Sequence, residues 1–396
     1  MKRLALIAPL LLAALLGFGY GSLPAGPNIN MTSAAPRLLF SDPTGSAATF
    51  ASSTARTCPT GSSLADVGVN VPCYDPVTGW LRSGKSVTNY TIKLQGVPGN
   101  TPTGYSAGAG PGTPLLAAGG IYENVSVTYT EGAAVAQNVY RTAGIGVVAQ
   151  IIGGYWLKTT AGTAGTLYVF NTYRTISSPI GNVDWTRVTY SGPKEANNNY
   201  FLGSYDVPIL SPAPPSGAYA FSAPFVELAV LYPGAYCPGA ASPVTCSAEL
   251  STHTLSATQL PPSRGRLRVS VKPFWAATEL GISRTVLHNL GGDAVSGTAD
   301  DLWLDYNQAA STWRWRAGGQ TVSSAVSAHA REATIALEVT WQDGHKISIS
   351  VDGGVPVYSA AVMASAVLNA TTGRGTTVAG ADQFDGYVGD LEVWSR

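Results

Sequence analysis

The chain has 396 residues, of which 12% are charged, and its formal net charge is +0. A chain of this length is expected to form two or three domains, each large enough to bury a core. The even balance of charge excludes the basic surface that nucleic-acid binding requires, so we expect no nucleic-acid partner. Its 45 Gly and 26 Pro residues, together with short runs of alternating apolar residues, predict an all-β protein.

Residues 1–22 form an apolar segment, in which Lys2 and Arg3 precede an uncharged run that extends to Phe18. This order is typical of a secretory signal peptide, which is removed from the mature protein. A retained anchor is the alternative, although the run is short for a membrane span and Pro9 interrupts it. Both uses of the segment predict that the protein is exported from the cytoplasm of the cell that makes it.

The four cysteines lie in two local pairs, Cys58 with Cys73 and Cys237 with Cys246. Neither pair has the spacing of about two to four residues that metal sites usually show, so the pattern predicts two disulfides. Each bridge would add about 2 to 3 kcal/mol by restricting the unfolded chain. Reduced, buried thiols are the alternative.

Residues 23–92 are rich in turn-forming residues and are predicted to form an extended connector module. Their sequence includes ATFASSTARTC and then LADVGVNVPCYDPVTGWLRSGKSVTNYTI. This succession resembles a module near the N-terminus of bacteriophage tail-fibre, head-fibre and other virion adhesion proteins. The chain departs from that family's pattern at Cys58 and Cys73, which replace a Tyr and an Arg. The resemblance implies a virion-surface protein that assembles with other virion proteins, as a homo-oligomer and by preference a trimer.

Residues 93–245 contain strand-like runs separated by turn clusters, which predicts a β-sandwich. The runs VDWTRVTYSG and SGAYAFSAPFVELAVLYPGAY are similar to the carbohydrate-binding-module-like sandwich that follows the phage module in that family. Trp156 and Trp185 in this region are assigned to cores, as is Trp275 further on. The three units occur here in the order that the family shows.

Residues 246–396 carry the clearest strand pattern. Apolar residues alternate from Ile335 to Trp341 and again after an Asp343-Gly344 turn, which predicts a β-hairpin with Trp341 in the core. The closing GYVGDLEVWSR has the same two-residue period and predicts a last strand in the same sheet. The hairpin and this ending resemble the laminin-G or concanavalin-A-like jelly roll. We expect the domain to close with its own last strand and to fold alone.

A second hairpin in this domain carries the candidate ligand-binding residues, Trp303 and Asp305. Its alternation places Leu302, Leu304 and Tyr306 on one face and Trp303 and Asp305 on the other. An exposed indole would cover the apolar face of a sugar ring, and the carboxylate would accept hydrogen bonds from hydroxyl groups. The alternative is that Trp303 belongs to the core, as most Trp residues in sandwiches do.

Three acidic residues near this hairpin, Asp293, Asp300 and Asp301, are a candidate Ca²⁺ site, because oxygen ligands suit that ion. Laminin-G-like domains often hold Ca²⁺ on such a rim, so this part of the prediction comes from the resemblance. Ca²⁺ is the only cofactor that the pattern suggests. A solvated hairpin is the alternative, because the spacing matches no defined calcium loop.

The sequence offers no convincing catalytic signature. The match to G-x-S-x-G at Gly104 to Gly108 lies in a Gly/Pro loop, whereas a nucleophile elbow needs a strand before it and a helix after it. No E-x-D-x-x-E run supplies the paired carboxylates of a jelly-roll glycosidase. We therefore predict a protein without catalytic activity. The resemblance to the phage module implies that it is a virion-surface protein that binds a host-surface ligand, a glycan rather than a protein. The alternatives are a purely structural virion protein, a secreted bacterial lectin-like protein and, with less support, a glycoside hydrolase.

Overall fold

The structure of the protein is a computed structural model, which describes only part of the chain. The described ranges are 37–39, 48–52, 56–60, 63–75, 80–107, 115–130, 137–142, 148–159, 165–169, 172–176, 185–194, 199–204, 218–228, 230–239, 243–255, 260–279, 283–292, 298, 300–369, 371–378, 382–389 and 391–394. The predicted signal or anchor segment, residues 1–22, lies outside them. Within these ranges, no helix is long and apolar enough to cross a membrane.

The first seven strands lie in the segment predicted to be a connector. They are β1 (Arg37–Leu39), β2 (Ala48–Ala51), β3 (Arg56–Thr60), β4 (Ser63–Val67), β5 (Tyr74–Asp75), β6 (Trp80–Ser83) and β7 (Val87–Asn89).

Ten strands follow in the middle of the chain. They are β8 (Ser106–Ala107), β9 (Leu115–Tyr122), β10 (Val125–Thr130), β11 (Gln137–Thr142), β12 (Val148–Thr159), β13 (Gly165–Val169), β14 (Thr172–Ile176), β15 (Thr186–Lys194), β16 (Asn199–Ser204) and β17 (Ala218–Leu228).

The remaining strands lie within residues 244–394, with one short 3-10 helix (Gln308–Ala310) between β22 and β23. They are β18 (Val244–Cys246), β19 (Leu250–Thr254), β20 (Arg264–Pro273), β21 (Arg284–Asn289), β22 (Leu302–Asn307), β23 (Thr312–Ala317), β24 (Gln320–Ser323), β25 (Ile335–Gln342), β26 (Lys346–Val351), β27 (Val357–Val362), β28 (Thr371–Arg374), β29 (Gly386–Val388) and β30 (Leu391–Trp394).

Two large sheets form the C-terminal β-sandwich. One runs in the order β27-β26-β25-β20-β29-β6-β5, and β30 joins it by pairing with both β20 and β1. The other runs in the order β2-β19-β28-β21-β22-β23-β24. The prediction of an all-β, sandwich-like architecture is confirmed.

The hairpin of β25 and β26 forms as the alternation predicts. Leu337 pairs with Val351, and Gly344 in the turn has a φ of 71°, which a residue without a Cβ adopts at little steric cost. The indole of Trp341 is fully buried and its ring centroid lies 5.6 Å from that of Trp315 in the opposite sheet. The two-residue period therefore identified the core face of this hairpin correctly.

The hairpin of β22 and β23 also follows its predicted faces. Its core side is formed by five side chains with no measurable exposure: Leu302, Leu304, Tyr306, Trp313 and Trp315. Trp275, which the sequence also assigns to a core, is fully buried against this face, with its ring centroid 4.9 Å from that of Tyr306. One wide apolar layer therefore lies between the two sheets of the C-terminal sandwich.

The N-terminal strands belong to these same sheets. β1 pairs with β30, β2 with β19, and β6 with β29, where Leu81 lies opposite Val388. Strands of three or four residues are too short to be stable alone, and pairing with larger sheets satisfies their backbone N–H and C=O groups. Leu81 is fully buried. The structure thus places the segment predicted to be a connector within the sheets of its neighbours.

The middle of the chain forms a second pair of sheets. The orders are β15-β12-β17-β10-β9-β4-β3 and β14-β13-β16-β11-β8, so β3 and β4 extend the first of them. Tyr155, Leu157 and Phe221 are buried in a core on one face of β12 and β17. Ile152 and Phe225 belong instead to the buried cluster of the C-terminal sandwich. The second face of this sheet therefore packs against the C-terminal sandwich.

Glu227, at the boundary between the two sandwiches, is a buried carboxyl group. The backbone N–H of Gly234 donates a bifurcated hydrogen bond to the two oxygens of Glu227, Oε1 at 2.9 Å and Oε2 at 3.2 Å. Burial raises the pKa of Glu227 to about 7, and the nearby cations Lys85 and Arg187 oppose that rise. The Glu227 carboxyl group therefore binds its proton more tightly in the folded protein than in the unfolded chain. The contribution of this group to the free energy of unfolding decreases as the pH rises from about 4.5 to about 7.

We expect Glu227→Gln to flatten this dependence. The free energy of unfolding of the unchanged protein should fall, relative to that of the variant, by up to ~3 kcal/mol between about pH 4.5 and about pH 7. Urea denaturation at several pH values measures the difference. Glu338→Gln, which makes the same substitution at a partly exposed carboxylate, is the matched control. Parallel curves for the protein and Glu227→Gln would contradict the expectation.

Candidate functional site

A cleft of about 870 Å³ lies where the N-terminal strands, the middle sandwich and the C-terminal sandwich meet. We call it the interdomain cleft. One wall is the outward face of β6, β20 and β29, and the other is the face of β12 and β15 that points away from the middle core. Arg331 and Glu332, in the loop before β25, also line the cleft.

The wall from the C-terminal sandwich presents alternating charged and aromatic side chains. Lys272 on β20 pairs with Tyr387 on β29, and Tyr387 pairs with Arg82 on β6, so these three residues lie side by side across the sheet. The Nζ atom of Lys272 lies 4.6 Å from the ring centroid of Trp80. The ring of Phe274 meets that of Tyr387 edge to face at 5.2 Å. Each aromatic residue on this wall is thus held by a neighbouring strand.

The wall from the middle sandwich is built around Trp156 and Arg187, which pair across β12 and β15. The guanidinium carbon of Arg187 lies 4.9 Å from the ring centroid of Trp156 and 4.3 Å from that of Phe225. Its Nη2 atom donates a hydrogen bond to the carbonyl of Gly234 at 2.9 Å. Burial lowers the pKa of Arg187. Trp185, immediately before β15, is half-buried at the same wall.

Arg331 ties the two walls together. Its guanidinium donates to both carboxylate oxygens of Glu279, at 2.9 Å from Nε and 2.7 Å from Nη2, and to Thr189 Oγ1 at 3.1 Å. Thr189 belongs to the middle sandwich and Glu279 to the C-terminal one. This bridge fixes the distance between the two walls of the interdomain cleft. The neighbouring Glu332 also lines the cleft, and its side chain is exposed to solvent.

These side chains can bind an amphipathic small molecule. Trp80, Trp156 and Trp185 are half-buried, so each keeps part of a flat apolar ring accessible. Hydrogen-bond donors and one carboxylate lie among them. A few polar groups within a mostly aromatic concave surface are the usual composition of a ligand site. Sugar rings have apolar faces and polar edges, which fit this combination.

Asp305, predicted to accept hydrogen bonds from a ligand, is fully buried. Arg314 donates to both of its oxygens, from Nε at 2.9 Å and from Nη2, and Arg316 Nη2 lies 3.2 Å from Oδ2. The reason is the register of the hairpin, which sets Arg314 directly opposite Asp305. The carboxylate that the sequence predicted to accept hydrogen bonds from a ligand thus forms an ion-pair cluster with Arg314 and Arg316.

Trp303 lies on the outer face, as predicted, but its indole is only half-exposed. The ring centroid lies 4.5 Å from that of His288, and the guanidinium carbon of Arg316 lies 4.3 Å from it. Its Nε1 donates to Thr285 Oγ1 at 3.1 Å. These neighbours cover much of the ring, so the surface left for a sugar is smaller than the alternation alone suggested.

The candidate Ca²⁺ ligands are placed only in part. Asp293 lies outside the described residues. Asp300 Oδ2 accepts from the backbone N–H of Gly292 at 2.8 Å, and Asp301 Oδ2 lies 3.3 Å from His288 Nε2. Within the described ranges, no three His, Cys, Asp or Glu residues are grouped so that they could hold a metal. The Ca²⁺ site stays a prediction from the sequence.

The structure joins the cysteines in the pairs that their local spacing predicts. Cys58 is bonded to Cys73 with 5.5 Å between Cα atoms, and Cys237 to Cys246 with 5.8 Å. Both Cα distances lie in the ordinary range for disulfides. Cys73 also lines the interdomain cleft, beside β6. The first bridge therefore restrains the chain that forms one edge of the cleft.

The interdomain cleft itself was missed by the sequence reasoning, which assigned Trp156 and Trp185 to cores. Both are half-buried and pack against the edge of the C-terminal core while lining the cleft. The alternation in GYWLK did contain a signal, because Tyr155 and Leu157 face the middle core and Trp156 must then face the other way. The alternation does not show which segment packs against the face that carries Trp156, because that depends on the tertiary structure.

No protein-family model and no curated protein matches this chain. Several solved structures do match. The mouse laminin alpha1 chain, domains LG4-5, is 11% identical over 77% of this chain and 93% of that chain, with a TM-score of 0.25. The CBM22 tandem domain from Paenibacillus barcinonensis Xyn10C is 9% identical over 80% of this chain and 100% of that chain, with a TM-score of 0.25.

A third match is the receptor-binding domain of botulinum neurotoxin mosaic serotype C/D. It is 10% identical over 37% of this chain and 37% of that chain, with a TM-score of 0.28. The aligned region is therefore little more than a third of that domain. With TM-scores below 0.3, these similarities carry no argument about ligand or activity, and the all-β architecture follows from the strands of the chain itself.

Proposed function

We propose that this chain is a non-catalytic adhesion protein that binds a glycan in the interdomain cleft. The observation that carries the proposal is the convergence of three half-buried Trp residues with hydrogen-bonding side chains in one cleft of about 870 Å³. A cavity of this size falls in the range of small-molecule sites, and a short oligosaccharide would fill it.

Stacking would supply much of the affinity. A sugar CH face against an indole removes apolar surface from water without requiring a large change in the protein. Trp80 and Trp185 come from opposite walls, so a saccharide between them could contact both. The bridge from Arg331 to Glu279 keeps the walls apart before binding, which reduces the ordering cost of association.

The biological setting that we propose is the surface of a virion. Its support is the resemblance of residues 37–92 to the phage fibre module, together with the order of the three units along the chain. A purely structural virion protein and a secreted bacterial lectin-like protein remain the alternatives. Binding rather than hydrolysis is proposed because glycosidases use two carboxylates, and Glu332 is the one carboxylate among the described lining residues.

A glycan array followed by calorimetry tests the site. We expect Trp80→Ala and Trp185→Ala each to weaken binding by at least ~10-fold, which corresponds to about 1.4 kcal/mol. Trp303→Ala is the matched variant, since it removes a half-buried indole outside the interdomain cleft. It should leave glycan affinity unchanged.

Melting curves of the three variants show whether each remains folded. If only Trp303→Ala lost glycan binding, the glycan site would lie on the hairpin of β22 and β23. That result would contradict the proposal that the glycan binds in the interdomain cleft. The structural-protein alternative gains if no glycan binds, and turnover of a bound glycan would contradict the non-catalytic assignment.

A further inference from the structure

We propose that the ligand of the interdomain cleft is a saccharide that carries an anionic group, a carboxylate or a sulfate. This inference rests on the proposed glycan-binding function and narrows it to acidic sugars. It follows from the way in which the cationic side chains of the cleft are partnered.

Two of the four cations that line the cleft have a carboxylate partner within the protein. Arg82 Nη2 lies 2.7 Å from Glu249 Oε1, and both side chains are almost fully buried. Arg331 Nη2 lies 2.7 Å from Glu279 Oε1. Their charges are therefore neutralised before any ligand arrives, and both residues act as parts of the scaffold.

The other two, Arg187 and Lys272, have no carboxylate within 4 Å among the residues that the structure describes. Each lies against an aromatic ring instead: Lys272 against Trp80, and Arg187 against Trp156 and Phe225. An aromatic face attracts a cation but does not neutralise it. Each wall of the cleft thus contributes one cation that no carboxylate neutralises within the described residues.

Arg187 also has an unmet hydrogen-bonding group. Its Nε atom is buried and has no acceptor among the described residues, while Nη2 is used by the carbonyl of Gly234. A buried donor without an acceptor is costly, and a planar guanidinium binds carboxylate or sulfate oxygens through several N–H groups. A ligand anion at this wall would supply the counter-charge that Arg187 lacks.

Negative charge near the cleft does not remove this preference. Glu332 is the one carboxylate among the described lining residues, and it acts electrostatically on Arg187. Because Glu332 is exposed, solvent screens this interaction. Glu227 acts on Arg187 from beyond the cleft lining, but it accepts from Gly234 and its burial favours the neutral carboxylic acid. The cleft is therefore positive on both walls and negative only at an exposed position.

The test uses an array on which each acidic oligosaccharide is paired with a neutral counterpart. Uronates are paired with their methyl esters, sialosides with their carboxyl-reduced forms, and sulfated sugars with their desulfated forms. We expect the acidic members to bind at least ~10-fold more tightly, and we expect this advantage to fall steeply as the salt concentration rises. The uronate, sialoside and sulfate series distinguish carboxylate from sulfate recognition.

Lys272→Gln and Arg187→Gln should each reduce the acid-to-neutral ratio by about 10-fold or more, as loss of one charge-assisted hydrogen bond predicts. Lys346→Gln removes a lysine charge outside the cleft and should preserve the ratio. If Arg187→Gln fails to fold, the acid-to-neutral ratio of Lys272→Gln still tests the inference. Equal binding of acidic and neutral partners would overturn this inference and leave glycan binding in place. Absence of binding to every member would overturn both proposals.

Discussion

A chain that begins at Cys246 is expected not to fold, although residues 246–396 carry the whole jelly-roll pattern. Both sheets of the C-terminal sandwich include strands from the N-terminal segment, namely β1, β5 and β6 in one and β2 in the other. Removing β6 would expose the backbone edge of β29 and the apolar surface that Leu81 covers. Burying one such side chain is worth about 1.5 to 3 kcal/mol, against a total stability of about 5 to 15 kcal/mol for a domain.

The measurement is circular dichroism and thermal melting of the truncated chain. A chain that begins at residue 34 retains every strand of the structure and is the control, with an expected cooperative transition. A cooperative melt of the truncated chain near the temperature of the control would show that the N-terminal strands are accessory, as the sequence alone had predicted. Adding residues 34–92 as a separate peptide should restore structure if the four strands are what the truncated chain lacks.

Glu249→Gln is expected to destabilise the protein by about 3 to 5 kcal/mol, because it leaves a buried guanidinium without its counter-charge. Arg82 Nε lies 3.2 and 3.3 Å from the two oxygens of Glu249, and Nη2 lies 2.7 Å from one of them. The side chains of Arg82 and Glu249 are 3% and 1% exposed. The pair also connects β6 to the chain just before β19, so its loss weakens the joining of the N-terminal strands to the C-terminal sandwich.

Glu338→Gln provides the matched comparison. Glu338 pairs with Arg266 at 2.6 Å, but the two side chains are 33% and 35% exposed. Water screens such a pair, so the same substitution should change the free energy of unfolding by ~1 kcal/mol or less. Urea denaturation of both variants decides the question. Similar losses for Glu249→Gln and Glu338→Gln would mean that burial does not govern the strength of these pairs.

The local pattern of the sequence determined the faces of the strands and the nearby covalent links. The alternation around Trp341 identified a core-facing strand, and the alternation around Leu304 correctly separated core residues from outward ones. The pairing of Cys237 with Cys246 also needed only proximity along the chain. These features depend on geometry within a few residues, where the two-residue period of a strand leaves little freedom.

Tertiary structure alone decided what each outward face meets. β1 pairs with β30 across almost the whole chain, with Arg37 opposite Val393, and no local period encodes such a partner. In the same way, the alternation shows that Trp156 leaves the middle core but not that Tyr387 of another sandwich lies across the cleft from it. Asp305 faces outward from its strand and is nevertheless buried, because Arg314 on the next strand closes over it. A strand's period selects between two faces, whereas the burial of a face depends on segments that are distant in sequence and come close only when the sheets assemble.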